Sequence, residues 1–466
     1  MANSIRQSVL NSDPNIKLGL GSLLFLGVVV RLIFLHLLND VQLVGDMQDY
    51  YRIAVELKNG QGFNSTIRAP FYPYLLSLLF LLFDSSNLIV IKIFQSFISL
   101  LNVILIYFLG KEAFDRRTGL LAAGLFCFYP TLLFYNNFIL TEVIFIFLFT
   151  AFLLVFVLYL NNRKIRYLVF SGLLLGLTTL CRSVTLQLPV FLGVYLLFLK
   201  KSRAWVSDTV KRCLTPMVFF ISFILILLPW TIRNYKVHHA LIPVDLIGKI
   251  NVMLGNYEYT PLNRAWDAHI TQTSDRSWSY PLRKEGLYDK MTEAERADWA
   301  FRVGVKFMIQ HPMLTFKRSF VKFCNFWELE RVPGSMAVKG FLGNSNLAML
   351  KIFAALGCLL QSLILFGAIF SLVYFFKNNA VTNSFFLLIV TYFTLIHSII
   401  YGHPRYQLPL APILFICGAN AFLCIAGVWK QRQWVKFSFA TSICLFFVLV
   451  CARQFYIHLN NLYLID

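Results

Sequence analysis

The sequence predicts an all-α polytopic membrane protein, a bundle of about 11 transmembrane helices with interfacial helices and a helical cap on the outer face. Three observations carry this. Apolar runs recur along all 466 residues, 58% of which are hydrophobic and only 14% charged. The basic residues behind the net charge of +20 sit mostly in short loops between those runs. That is the positive-inside pattern; a nucleic-acid binder would gather them on one face or in one tail, so no nucleic-acid partner is expected. Finally, the stretch 233–344 is long and has no run able to span a bilayer. The nine cysteines contain no C-x-x-C, which argues against a disulfide framework or a thiolate metal site.

Span 1 covers Lys17–Leu38. It is too long for the apolar part of a cleavable signal and no small-residue cleavage site follows, so it is read as retained. Arg6 and Lys17 before it put the N-terminus in the cytoplasm. Asp46–Asn59 follows as a short interfacial helix, with Tyr50, Ile53, Ala54 and Leu57 on one face and Asn59-Gly60 as its stop. Phe71–Phe83 is apolar but 13 residues long, short of the ~20 that a crossing needs, and reads as a re-entrant or surface-lying helix. Spans 2 to 7 are Leu88–Leu109, Gly119–Phe134, Val143–Leu160, Tyr167–Cys181, Thr185–Leu199 and Leu214–Trp230. The loops with Lys111, Arg116 and Arg117, with Arg163, Lys164 and Arg166, and with Lys200, Lys201 and Arg203 then fall inside.

The cap holds a capping box, Thr292-Glu293-Ala294-Glu295, opening a helix that reaches Gln310. His311-Pro312 ends it, and Met313–Glu328 continues as an amphipathic helix suited to a membrane surface. Spans 8 to 11 are Leu347–Phe376, Phe385–Tyr401, Leu408–Val428 and Phe437–Cys451, with Lys377, Lys430, Arg432 and Lys436 inside. The domains are accordingly 1–232 (transmembrane catalytic module with outer loop 39–87), 233–346 (outer cap) and 347–466 (C-terminal helices).

With this topology the polar residues at span ends collect outside: Asp46, Asp49, Arg68, Glu142, Arg182, Arg233, His403, Arg405 and Tyr406. Charges at a membrane interface are costly and mark function by default. Arginines match a lipid-linked phosphate in a fork, and a carboxylate can take a proton from an attacking hydroxyl. Plainer readings stand beside these. Asp46 could cap its helix, Asp49 could be a solvated face, and Glu142 could answer the helix dipole. Arg68 could anchor a turn, Arg182 could snorkel, and His403 reads as structural because no second histidine has ligand spacing.

The motifs G-D-x-x-x-Y-Y-x-x-A, G-x-G-F, R-x-P-x-Y-P, F-I-L-T-E-V, G-L-T-T-L-C-R-S, P-W-T-I-R-N-Y and H-P-R-Y-Q-L-P-L-A-P occur in this order. Together they resemble the polyprenyl-phosphate-sugar-dependent glycosyltransferases of the GT-C class, of the glycosyltransferase family 39 type. That group includes the protein O-mannosyltransferases and the lipid A aminoarabinose transferases. The likeness covers 17–235 and recurs at 395–412. It implies a GT-C type bundle and an inverting transfer of a hexose or pentose from a polyprenyl-phosphate-linked sugar donor. The acceptor would be a lipid, glycan or protein at the outer face of the plasma (inner) membrane. It implies Asp46 as catalytic base and Glu142 as a second acidic residue; the placement of the charges adds Asp49 as a further acidic residue and Arg68, Arg182, Arg405 and Arg233 on the donor phosphate. Tyr50, Tyr72, Tyr406 and His403 would line the substrate. The turn Arg68-Ala69-Pro70 lacks the acidic residue that aminoarabinose transferases offer to a metal, so no cofactor is assigned and a divalent metal is disfavoured. The alternatives are a lipid-linked oligosaccharide transporter, and a polymerase or ligase using pyrophosphate-linked donors. The first needs a polar path that the span centres, with Lys92 and Gln95 as the notable exceptions, do not offer.

Overall fold

The computed structural model describes residues 14–83, 86–199, 209–263, 278–343, 346–430 and 433–462. Arg6, Lys200, Lys201, Arg203 and Arg432 lie outside the described residues. The chain is all-helical, with no strand among the described residues. In order, the helices used below are α1 (Pro14–Leu37), α2 (Asp46–Lys58), α3 (Phe71–Leu82), α4 (Leu88–Ala113), α5 (Arg116–Cys127), α6 (Pro130–Tyr135), α7 (Glu142–Asn162) and α8 (Ile165–Cys181). They continue with α9 (Leu188–Phe198), α10 (Thr209–His238), α11 (Ile247–Gly255), α12 (Tyr280–Lys284), α13 (Glu293–Gln310), α14 (Pro312–Trp327), α15 (Val332–Val338), α16 (Leu347–Tyr374), α17 (Ala380–Ile399), α18 (Ala411–Lys430) and α19 (Trp434–Leu462).

Among the described residues, eight helices are long and apolar enough to cross a membrane. They correspond to the expected spans 1, 2, 4, 7, 8, 9, 10 and 11. The other three expected spans are shorter pieces. Span 3 is broken into α5 and α6, because Pro130 has no N–H to give and holds Tyr129 extended (φ −68°, ψ 109°). Span 5 is the 17-residue α8, and span 6 is the 11-residue α9, entered through a turn at Ser183–Thr185. The apolar run after Arg68 forms the 12-residue α3, as its length predicts. α10 runs past Trp230 to His238, beyond the expected module boundary at 232.

The core sits around α7. Its apolar window is 83% buried, against 17% for α1 and 11% for α19. An apolar helix without a polar face belongs inside a bundle. Its Phe149, Phe152 and Phe156 meet Phe385 and Phe393 of α17 at ring separations of 4.5–6.3 Å. The α4–α5 hairpin closes tightly because a Cβ on Gly119 would lie 2.4 Å from the Tyr107 carbonyl oxygen.

Lys92 and Gln95, the polar exceptions of span 2, are structural ties. Lys92 Nζ donates to the carbonyls of Leu38 and Asn39, both at 2.7 Å. Gln95 accepts from Tyr72 Oη (2.7 Å) and donates to the carbonyls of Asn136 and Phe138. They pin the loops after α1 and α6 to the same end of the bundle. At the other end, Asn161 donates to the Glu112 carbonyl (3.0 Å) and Asn379 to that of Ala113 (2.6 Å). The basic turns at 111–117, 163–166 and 377 therefore share the end opposite Glu142. A 21-residue helix such as α7 separates the two ends by roughly 30 Å, about one hydrocarbon thickness.

The cap forms its capping box as predicted: Thr292 Oγ1 accepts the Glu295 N–H and Glu295 returns to the Thr292 N–H at 2.8 Å. His311 ends α13, and Pro312 opens α14. α14 exposes Met313, Phe316 and Phe320 while burying Arg318, Lys322 and Asn325.

Candidate active site

Asp46 opens α2 behind Gly45, whose φ of +53° is open to glycine and lets the chain turn sharply out of span 1. The carboxylate does not cap its helix. Its Oδ1 accepts from Arg68 Nη2 at 2.7 Å and its Oδ2 from Arg405 Nη2 at 2.9 Å. Asp49, one turn on, accepts from the same Arg68 Nη2 at 2.9 Å and also pairs loosely with Arg52 at 3.8 Å. Arg68 comes from the bend that leads through Pro70 into α3.

Glu142 is the first residue of α7 and only 2% exposed. Arg182 Nη1 donates to its Oε1 at 2.9 Å, and Arg405 Nε lies 3.2 Å from the same oxygen without hydrogen-bond alignment. Its Oε2 is buried with no hydrogen-bond partner. Arg405 thus bridges Asp46 and Glu142, and Tyr406 supports the array, with the Arg182 and Arg405 guanidinium carbons 5.2 and 5.5 Å from its ring centre. Residues 46, 68, 142, 182 and 405 meet in one network although up to 359 positions separate them.

The network faces a cavity of ≈ 590 Å³. Asp46, Arg68, Glu142, Arg182 and Arg405 line it, as do Tyr50, His403 and Tyr406. Three other expected residues do not. Tyr72 is fully buried beneath, spending its hydroxyl on Gln95, because α3 turns that face into the bundle. Arg233 is drawn the other way: it donates to Thr66 Oγ1 (3.1 Å) and the Phe63 carbonyl and stacks over Trp230. Asp49 stands behind Arg68, 43% exposed, and acts on the cavity only through that arginine.

His403 is a local cap. Its Nδ1 accepts the Arg405 N–H at 3.1 Å, and burial, then Arg405 and Arg331, hold its imidazole well below the ordinary range. Among the described residues, no group of three or more His, Cys, Asp or Glu side chains is arranged to hold a metal.

The cap supplies cavity residues that no motif signalled: Asp245 between α10 and α11, and Lys249 on α11. Asp245 Oδ1 accepts from Ser183 Oγ at 2.8 Å. Lys249 also pairs with Asp298 of α13. The one available signal was a lone carboxylate and a lone lysine inside the apolar run Ile242–Ile250.

The two aspartates on the cavity differ. At Asp46 burial pushes the carboxyl up, but Arg68 and Arg405 outweigh it and hold the group well below the usual carboxylate range. At Asp245 burial dominates and pushes the carboxyl up to about 6, only partly offset by the Ser183 hydrogen bond and the charge of Arg68.

Guanidinium groups on one cavity can hold a phosphate by paired N–H donation. Their carboxylate partners keep them aligned and can orient or deprotonate a nucleophile.

Residues 67–230 match the family described as dolichyl-phosphate-mannose-protein mannosyltransferase. No curated protein sequence matches the chain. Among solved structures, the oligosaccharyltransferase of Archaeoglobus fulgidus in its apo form is similar at a TM-score of 0.52 and 16% identity, over 94% of this chain and 55% of that one. The same enzyme tethered to an acceptor peptide gives 0.51 and 18%, over 94% and 54%, and its complex with Zn and sulfate gives 0.50 and 17%, over 91% and 51%. The chain spans about half the length of these archaeal structures, and the likeness is one of fold. The family match lies across the N-terminal bundle and the shared fold extends across nearly all the chain, so the chain has the GT-C type fold.

Proposed function

We propose that the protein is an inverting glycosyltransferase that moves a hexose or pentose from a polyprenyl-monophosphate carrier to a lipid, glycan or protein acceptor. The observation that carries this reading is the convergence of Arg68, Arg182 and Arg405 on one cavity, each already aligned by a carboxylate. The three guanidinium groups hold the donor phosphate. The acceptor oxygen or nitrogen attacks the anomeric carbon from the face opposite the phosphate. The bond to the phosphate oxygen breaks, its electron pair stays on the lipid phosphate, and the arginines stabilise that charge as it grows. A carboxylate on the cavity takes the acceptor's proton.

The site lies extracytoplasmically in the plasma membrane, with the N-terminus inside. Support comes from the basic turns at the end of the bundle opposite Glu142.

Lys249 favours a second reading, because a fourth cation on the cavity suits a donor linked through pyrophosphate. The test reconstitutes the protein, offers a panel of polyprenyl-monophosphate sugars with membrane extract as acceptor, and follows free polyprenyl phosphate by mass spectrometry. Wild type releases it, and Asp46→Asn, which removes the anion between Arg68 and Arg405, lowers turnover roughly 10²-fold or more. Release of the pyrophosphate lipid selects the second reading. No release from any donor while undecaprenyl phosphate still binds moves the protein to transport.

A further inference from the structure

Asp245 belongs to no motif, yet it opens onto the same cavity as Asp46. The two are held differently. Asp46 has a guanidinium on each oxygen. The hydrogen bonds to Asp245 come from neutral groups, the Ser183 hydroxyl and the Gly248 N–H, and Arg68 and Arg182 act on it only as nearby charges. A carboxylate clamped by two cations has little drive to take a proton. One held by a hydroxyl and an amide in a half-buried site takes it readily.

We infer that Asp245 receives the acceptor's proton during transfer, while Asp46 stays ionised and keeps Arg68 and Arg405 aligned. This rests on the proposed transfer from a lipid phosphate. The step balances. The acceptor's oxygen or nitrogen forms a bond to the anomeric carbon, the bond from that carbon to the phosphate oxygen breaks, the electron pair leaves with the lipid phosphate, and the proton moves to Asp245. Burial, which pushes the Asp245 carboxyl up to about 6 while Asp46 is held low, sets the two carboxylates apart as an acid–base site requires. The cap then supplies the proton acceptor, and the N-terminal bundle together with Arg405 of the C-terminal helices supplies the phosphate clamp.

The test uses the full chain in liposomes as wild type, Asp245→Asn and Asp245→Glu. Turnover is free polyprenyl phosphate released from the monophosphate sugar that wild type uses. Donor-site integrity is read separately as equilibrium binding of undecaprenyl phosphate. Asp245→Asn is expected to bind undecaprenyl phosphate like wild type and to lose turnover by roughly 10²–10⁴-fold, with Asp245→Glu recovering part of it. Wild-type kcat falls as pH drops below about 6, because protonated Asp245 cannot accept, and the residual activity of Asp245→Asn lacks that limb.

The inference is overturned if Asp245→Asn keeps near-normal turnover with the acidic limb intact. It is equally overturned if binding and turnover fall together, which makes Asp245 a support for α11. If wild type itself releases no polyprenyl phosphate from any donor, the transfer reading fails first and this assignment falls with it.

Discussion

On the wall of the cavity built from Asp46, Arg68, Glu142, Arg182 and Arg405, charge answers charge. In the cap the buried cations are answered by neutral groups. Lys322 Nζ donates to Asn256 Oδ1 (2.9 Å) and to the carbonyl of Ile399 (2.6 Å), and Arg318 donates to the carbonyls of Tyr257 and Thr260, both at 2.9 Å. The difference separates two kinds of work. A set of ion pairs can exchange a carboxylate for a phosphate, because the incoming anion replaces the charge it displaces. Charges fixed by backbone carbonyls cannot exchange in this way, so they hold the cap, and Asp245 with it, in one place.

The largest effect is expected where the paired wall is broken at its most buried member. Glu142→Gln keeps the shape but strips Arg182 of its carboxylate and leaves Arg405 with Asp46 alone. Leaving buried charges uncompensated costs about 3–5 kcal/mol, so the melting temperature in detergent should fall by many degrees. An unchanged melting temperature would mean that Arg182 is compensated elsewhere and that the wall is not a coupled network.

A smaller loss is expected where the cap is held by packing. A Cβ on Gly255 would lie 1.8 Å from the Ile400 carbonyl oxygen, and one on Gly402 would lie 2.2 Å from that of Lys322. These contacts lock α11 and α14 onto the turn that leads to Arg405. Gly255→Ala must push the turn away, at a cost of about 1–3 kcal/mol by overpacking. Because the shift reaches Arg405, turnover should drop further than stability alone accounts for. Equal losses in melting and in turnover per folded molecule would show that the turn does not position the arginine.

The two walls were unequally legible in the sequence. Asp46, Arg68, Glu142, Arg182 and Arg405 each stand at the end of an apolar run, where a charge is conspicuous, and the alternation of basic loops brings them to one end. The interfacial helix, the short α3 and the capping box followed from spacing and length. Tyr72 and Arg233 were misplaced because a motif gives a residue's neighbourhood but not its facing; only packing shows that α3 turns Tyr72 inward and that Trp230 and Thr66 draw Arg233 away. Asp245 was missed because it carries no motif, and its meaning lies in a tertiary contact with Ser183, 62 residues earlier. Breaking span 3 at Pro130 was readable in principle, since proline restricts the residue before it, but hydropathy alone runs through the break.

The smallest expected effect concerns Lys249, which touches both regions: it lines the cavity and pairs with Asp298 across the cap. Its side chain is 36% exposed and that of Asp298 is 44% exposed, so the pair itself contributes less than about 1 kcal/mol and Lys249→Ala should leave the melting temperature almost unmoved. Its effect on the reaction depends on the donor. A monophosphate is already served by three guanidinium groups on the paired wall, so a fourth cation on the facing wall adds little and kcat/KM should change only a few-fold. A pyrophosphate carries a second charged group that has to reach past those arginines, and Lys249 is the cation on the cap side of the cavity that could meet it. Losing a hydrogen bond to a charged group then costs about 1.5–3 kcal/mol, roughly a ten- to hundred-fold rise in KM. A large rise in KM with melting unchanged would therefore assign the donor to the pyrophosphate class, whereas an indifferent Lys249→Ala keeps the phosphate clamp wholly on Arg68, Arg182 and Arg405 and leaves the cap to handle the acceptor and its proton.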